Sequence, residues 1–200
     1  MPEDQFLTVK GVSESLYKVK GSKHFGYCFP VRTEEEIKDR LEEVRKEHHS
    51  ARHHCYAWRL GADKKRYRAN DDGEPSNSAG KPILGQIQSF DLTNVLIVVV
   101  RYFGGVKLGV GGLIDAYRTS AKLAIEAGKI ESRFVMDQIK VDFPYDAMGN
   151  VMRVMKEFNL EMVEHEFEFK CSLVTESRSS NVPQIVQAFN DIDFVEANKV

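Results

Sequence analysis

The spacing of apolar residues predicts an α+β chain of two domains, one over residues 1–132 and one over 133–200. Three observations carry that prediction. The run Val95–Val100 is apolar without polar alternation, as in a strand buried on both faces at the centre of a sheet. Five glycines within nine residues follow it, and then a helical apolar stripe begins. Beyond about residue 132 the texture changes to the order β-α-β-β-α-β, a split βαβ arrangement, provided that 160–175 folds back on itself.

Each element has its own signal. Strands at Leu16–Val19 and roughly His24–Val31 flank a Gly21-Ser22 break. Thr33 with Glu36 three residues on makes a capping box, and Ile37, Leu41 and Val44 put one apolar stripe on the helix it starts. In Arg52–Leu60, Tyr56, Trp58 and Leu60 share one strand face while His53, Cys55 and Ala57 share the other. Residues 61–81 are polar and turn-rich, and a short helix starts near Lys81-Pro82, where proline suits a first helical turn. Leu113, Ile114, Tyr117, Ala121, Ala124 and Ile125 trace a buried helical face, with Arg118 and Lys122 opposite and Gly128 as the C′ residue. In the second domain a strand at 134–142 precedes a helix with Met148, Val151, Met152 and Met155 at helical spacing, a stripe that reads as core. Val163, Phe167, Phe169, Cys171 and Leu173 then alternate with charged residues, so that Phe167 and Phe169 read as core side chains. No Gly, Pro or Asn in 160–175 marks the expected turn. A helix with Ile185, Val186 and Phe189 and a strand near 192–196 end the pattern.

Composition narrows the function. A hydrophobic share of 42% with 29% charged residues is that of an ordinary globular protein, and a formal net charge of −2 confines any nucleic-acid surface to a local patch. The chain starts without a signal-peptide pattern, and its longest apolar run is too short to cross a bilayer. Cys28, Cys55 and Cys171 have no CxxC spacing and read as reduced thiols. The expectation is a cytoplasmic protein without membrane association.

The glycine-rich stretch Arg101–Gly112 is the strongest pointer to chemistry. Gly104, Gly105, Gly109, Gly111 and Gly112, with Arg101 and Lys107 beside them, form a candidate anion cradle at a helix N-terminus. The competing reading is a tight connection that needs glycine for packing. Neither Walker nor G-x-G-x-x-G spacing is present. Asp71-Asp72-Gly73-Glu74 has the donors for a hard cation or a general base; its alternative is an Asx-type turn, or a carboxylate paired internally with Arg101. His53 and Cys55 share a strand face, but two soft ligands without a second pair do not make a zinc site. No metal, cofactor or catalytic residue is predicted.

Five stretches, in order, carry a family resemblance: Lys20-Gly-Ser-Lys-His-Phe25, Ala51-Arg-His-His-Cys-Tyr-Ala57, Asp71-Asp-Gly-Glu-Pro75, Ala79-Gly-Lys-Pro-Ile-Leu84 and Arg101–Leu113. Together they resemble the YigZ/IMPACT family, and the length and C-terminal pattern are similar to its bacterial YigZ branch. The resemblance implies a first domain folded like the second domain of ribosomal protein S5 and a second, ferredoxin-like domain, a pair also found in elongation factor G. It also implies a link to translation: eukaryotic relatives regulate it through protein partners, and bacterial members have been suggested to bind nucleic acid. Two positions depart from the family pattern. Asn77-Ser78 stands where Gly-Thr is usual, and Arg118 where Gly is usual.

Two classes of function follow. The first is a non-enzymatic module that contacts RNA or a ribosome-associated protein through Lys20, Lys23, Arg101, Lys107 and Arg118 around the glycine turn, with an anion or phosphate bound there. The second is an enzyme acting on a phosphorylated small molecule or nucleotide, with Asp71, Asp72 or Glu74 holding a metal or acting as base. The first is favoured because no nucleophile–base pair is legible. The expected binding set is Lys23, His53, Asp72, Glu74, Arg101, Gly104, Gly105, Lys107, Gly109, Gly111, Gly112 and Arg118.

Overall fold

A computed structural model describes residues 4–167 and 170–200. They fall into two units, one of Phe6–Arg133 and one that joins the N-terminal segment up to Gln5 with Phe134–Val200. The architecture is mixed α+β in both.

In the first unit, β1 (Gln5–Val9), β2 (Ser13–Val19) and β3 (Ser22–Pro30) lead into α1 (Glu34–Glu47). They are followed by β4 (His53–Leu60), β5 (Arg66–Asn70), α2 (Gly80–Ser89), β6 (Val95–Tyr102), α3 (Gly109–Glu126) and β7 (Ile130–Phe134). An antiparallel sheet runs in the order β2-β3-β6-β4-β5, and β1 pairs with β7 apart from it. The middle strand β6 explains its own sequence. Val95, Ile97 and Val99 enter a core shared with α2 and α3, while Leu96, Val98 and Val100 enter one shared with α1. β4 divides the same way, with Tyr56, Trp58 and Leu60 on the α1 side and Cys55 and Ala57 on the other.

Helix α1 starts as its sequence dictates. Thr33 Oγ1 accepts the Glu36 N–H at 3.1 Å, and the Glu36 carboxylate accepts the Arg32 N–H at 2.6 Å. Its stripe of Ile37, Leu41 and Val44 is buried, about 1.5–3 kcal/mol for each such side chain. Three strands carry no such pattern. β5 lies inside the stretch read as polar and turn-rich; it is an edge strand whose Arg66, Tyr67 and Arg68 are exposed, so no periodicity announces it. β1 and β7 are likewise additions to the expected elements.

The second unit contains β8 (Met136–Pro144), α4 (Met148–Glu157), β9 (Met162–Phe167), β10 (Lys170–Arg178), α5 (Val182–Asn190) and β11 (Glu196–Lys199). Its antiparallel sheet has the order β11-β8-β10-β9, the arrangement of a split βαβ plait. Ile139, Val141, Phe143 and Leu173 pack against Val151, Met155, Ile185 and Phe189. β9 and β10 do fold back on each other, with Cys171 opposite Phe167; Phe169 lies outside the described residues. The core assignment of Phe167 is corrected: β9 is an edge strand, and Phe167 is 40% exposed there. Val163 is exposed on the same strand. In α4 the core is built by Val151, Val154 and Met155, with Met148 packed beside it and Met152 exposed. The last strand starts later than expected, because 192–195 is a turn in which Phe194 takes a φ of +65°. Among the described residues no helix is long and apolar enough to cross a membrane.

Candidate functional site

The acidic knot after β5 turns inward. Asp71 Oδ1 accepts the N–H groups of Ala79 and Gly80 at 3.0 and 2.8 Å, and its Oδ2 accepts that of Asn77 at 2.8 Å. Asp71 therefore caps α2, whose own N-cap residue, Ala79, has no oxygen to offer. Asp72 Oδ2 accepts the His54 N–H at 2.7 Å, and the Asp72 carbonyl accepts from His53 Nδ1 at 2.9 Å. Asn77 has a φ of +62°, a left-handed conformation that asparagine tolerates. The turn thus survives the absence of the family's usual glycine.

Glu74, the third carboxylate, reaches β6. Ladder register places Arg101 between His24 on β3 and His53 on β4. The Arg101 Nη1 donates to Glu74 Oε1 at 2.7 Å, with the two side chains 8% and 4% exposed. The Tyr117 hydroxyl donates to the same oxygen at 2.8 Å, and Cys55 Sγ lies 3.3 Å from that hydroxyl. Burial pushes the Cys55 thiol well above its ordinary range, so it sits there as a neutral thiol rather than a nucleophilic thiolate. Burial likewise raises Tyr117, and Cys55 and Glu74 add to it. His24 is sealed in, edge-on to Tyr117 with ring centroids 5.4 Å apart. Burial, reinforced by Arg101, lowers its pKa to about 4, so its ring is neutral at pH 7. Both ring nitrogens of His24 and the Nε of Arg101 lack a hydrogen-bond partner among the described residues.

The five glycines of the turn have different reasons to be glycine. A Cβ on Gly104 would lie 1.8 Å from the Gly21 carbonyl carbon, and the Gly104 N–H donates to Ser22 Oγ at 3.2 Å. Here packing is the cause. Gly105 and Gly109 take φ values of +87° and +74° with open space where a side chain would be. Gly111 is also open, and Gly112 is half-buried over Leu108. Gly105, Gly109 and Gly111 are exposed.

At this point α3 begins without help. Leu108, its N-cap residue, accepts nothing through its side chain, and the first turn holds no acidic residue. The other two helices of this unit are covered, α1 by Thr33 and three glutamates and α2 by Asp71. The bare end of α3 opens on a hollow of about 700 Å³ lined by residues that include Arg52, His53, Glu74, Arg101, Lys107 and Gly109. Arg52 and Lys107 are exposed and make no ion pair among the described residues.

The β2–β3 hairpin adds more cations. Lys18, Lys20 and Lys23 are exposed and also unpaired among the described residues. Lys18 stands directly opposite Lys23, a like-charge pairing that costs stability unless something neutralises it. Lys23 lines a second hollow of about 320 Å³ with Gly21, Phe25, His48, Tyr102 and Phe103. Of the expected binding set, then, His53, Glu74, Arg101, Lys107 and Gly109 share one hollow and Lys23 lines its neighbour. Asp72 lines neither and spends its carboxylate on His54. Arg118 also lies outside both, on the outer side of α3, and pairs with Asp115 at 2.8 Å. Arg52 and Phe103 were not singled out in the sequence, although both sit inside the family-like stretches.

Comparison with known proteins bears on this geometry. Residues 20–125 match the family model for the Impact N-terminal domain. The IMPACT family member YvyE of Bacillus subtilis is 31% identical over 178 residues, which is 88% of this chain and 82% of that protein. The IMPACT family member YigZ of Escherichia coli is 32% identical over 130 residues, 64% of either chain. A crystal structure of a hypothetical protein superposes with a TM-score of 0.77 at 25% identity over 98% of both chains.

Proposed function

The chain belongs to the IMPACT family, and from that premise we propose that it is a binding module of translation that grips the phosphate backbone of RNA at the start of α3. The first domain, residues 1–132, does the gripping. One observation carries this reading: α3 is the helix of its unit whose leading amides are exposed and uncapped, and they open on a hollow rimmed by Arg52 and Lys107, which have no ion-pair partner among the described residues. Such an end carries about half a positive charge, and Lys107, Arg52, Lys20 and Lys23 add whole ones nearby. The translation link that the sequence motifs imply for the family supports RNA as the source of the phosphate. The engaged state of Asp71, Asp72 and Glu74 favours binding over metal-dependent chemistry, because each carboxylate already has an internal partner.

Filter binding of RNA across a salt series tests the proposal. Affinity should fall steeply with salt, and Lys107→Glu should weaken it and lower the salt slope by about one, with an unchanged melting temperature. Absent or salt-independent binding overturns the reading.

A further inference from the structure

We infer that the hollow formed by Phe25, Tyr102 and Phe103 receives an unpaired nucleobase, so that the RNA held at α3 is single-stranded at that point. This rests on the phosphate-binding reading and adds which part of the polymer enters the protein. At about 320 Å³ the hollow falls at the small end of ligand sites. Four of its lining residues are rings, with Lys23 and Gly21 completing it.

Most of that wall is held from behind. The Tyr102 hydroxyl bonds His48 Nδ1 at 2.9 Å, and His48 Nε2 bonds the Tyr27 hydroxyl at 2.6 Å. Phe25 packs edge-on to Tyr102 with centroids 5.8 Å apart and lies 5.1 Å from the His48 ring. Rings fixed in advance lose little freedom when something stacks on them. Phe103 differs: it is 60% exposed, with the Arg101 guanidinium 5.7 Å from its ring centre. Glu74 and Tyr117 hold that arrangement in place, since Arg101 is tied to Glu74 Oε1.

Position decides the ligand. Phe103 and Tyr102 line both hollows, so a chain whose base enters the smaller one has its backbone beside Lys107 and the bare helix end in the larger one. Lys23, in the smaller hollow, and Lys20, next to Gly21, meet the same backbone on the other side. Stacking surface bordered by cations that have no ion-pair partner among the described residues matches single-stranded RNA. A duplex keeps its bases stacked on one another and has none to give.

Fluorescence anisotropy with the full chain tests the inference, using three probes: a single-stranded RNA, the same sequence as a duplex, and linear polyphosphate. The wild-type protein should prefer the single strand to the duplex. Phe103→Ala should weaken the single strand roughly ten- to a hundred-fold, weaken polyphosphate far less, and keep the salt slope and the wild-type circular dichroism spectrum. Phe103→Tyr should retain binding. A 2-aminopurine base in the single strand should be quenched by the wild type and not by Phe103→Ala. The inference is overturned if Phe103→Ala changes single-strand affinity by less than about twofold, if it weakens polyphosphate equally, or if the duplex binds as tightly as the single strand. Failure of the wild type to bind any of the three probes overturns the underlying phosphate reading as well, so the two failures are told apart.

Discussion

The turn at Asp71–Glu74 and the turn at Gly104–Gly112 stand level in the sequence, one rich in carboxylates and the other in bare amides. In the fold they are opposites. The carboxylates are spent on the Ala79, Gly80, Asn77 and His54 amides and on Arg101. The amides around Gly105 and Gly109–Gly111 have no side-chain acceptor among the described residues and lie at the surface. Charge density alone therefore does not mark a site. What separates scaffold from binding surface is whether the complementary group is already inside the chain.

The largest test of that contrast is Glu74→Ala, which leaves Arg101 buried and unpaired and should cost about 3–5 kcal/mol in chemical denaturation. A cost below about 1 kcal/mol would show that the knot is not structural. Next comes acid sensitivity. His24 is held near a pKa of about 4 in the fold and titrates near 6.5 when unfolded, so the unfolded chain takes up the proton first. Stability is then complete above pH 6.5 and falls between 6.5 and 4, by up to about 3 kcal/mol; His54, also lowered by burial, acts in the same direction. Melting curves across that window should flatten in His24→Phe if this histidine is the cause. A smaller effect separates the glycines. Gly104→Ala, blocked by the Gly21 backbone, should destabilise by about 1–3 kcal/mol or more. Gly111→Ala meets open space in a helix and should gain up to about 1 kcal/mol. Equal effects at the two positions would erase the division between packing glycines and open ones. Smallest in stability is Lys107→Glu, expected to leave the melting temperature unmoved while RNA binding drops.

Much of the fold was legible because burial writes itself as periodicity. Val95–Val100 faces two cores and shows no alternation, while Ile37, Leu41 and Val44 face one and show a stripe. Elements that bury little left no such trace, which is why β5 is hidden in a polar stretch. Phe167 shows the reverse error: its strand alternates, but a strand at a sheet edge can alternate without being covered. The candidate site was legible as a density of glycines beside two cations. Which glycine serves packing was not, because the cause at Gly104 is Gly21, far away in the chain. Phe103 was overlooked for a related reason: an aromatic next to an apolar strand looks like core until the fold leaves it outside.

The approach of Gly104 to Gly21 has a mechanical consequence. Two loops from distant parts of the chain meet backbone to backbone, and the Gly104 amide is fastened to Ser22. On the proposed RNA-binding role, the lysine-bearing hairpin and the leading turn of α3 would meet an incoming strand as one coupled jaw, not as two independent fingers.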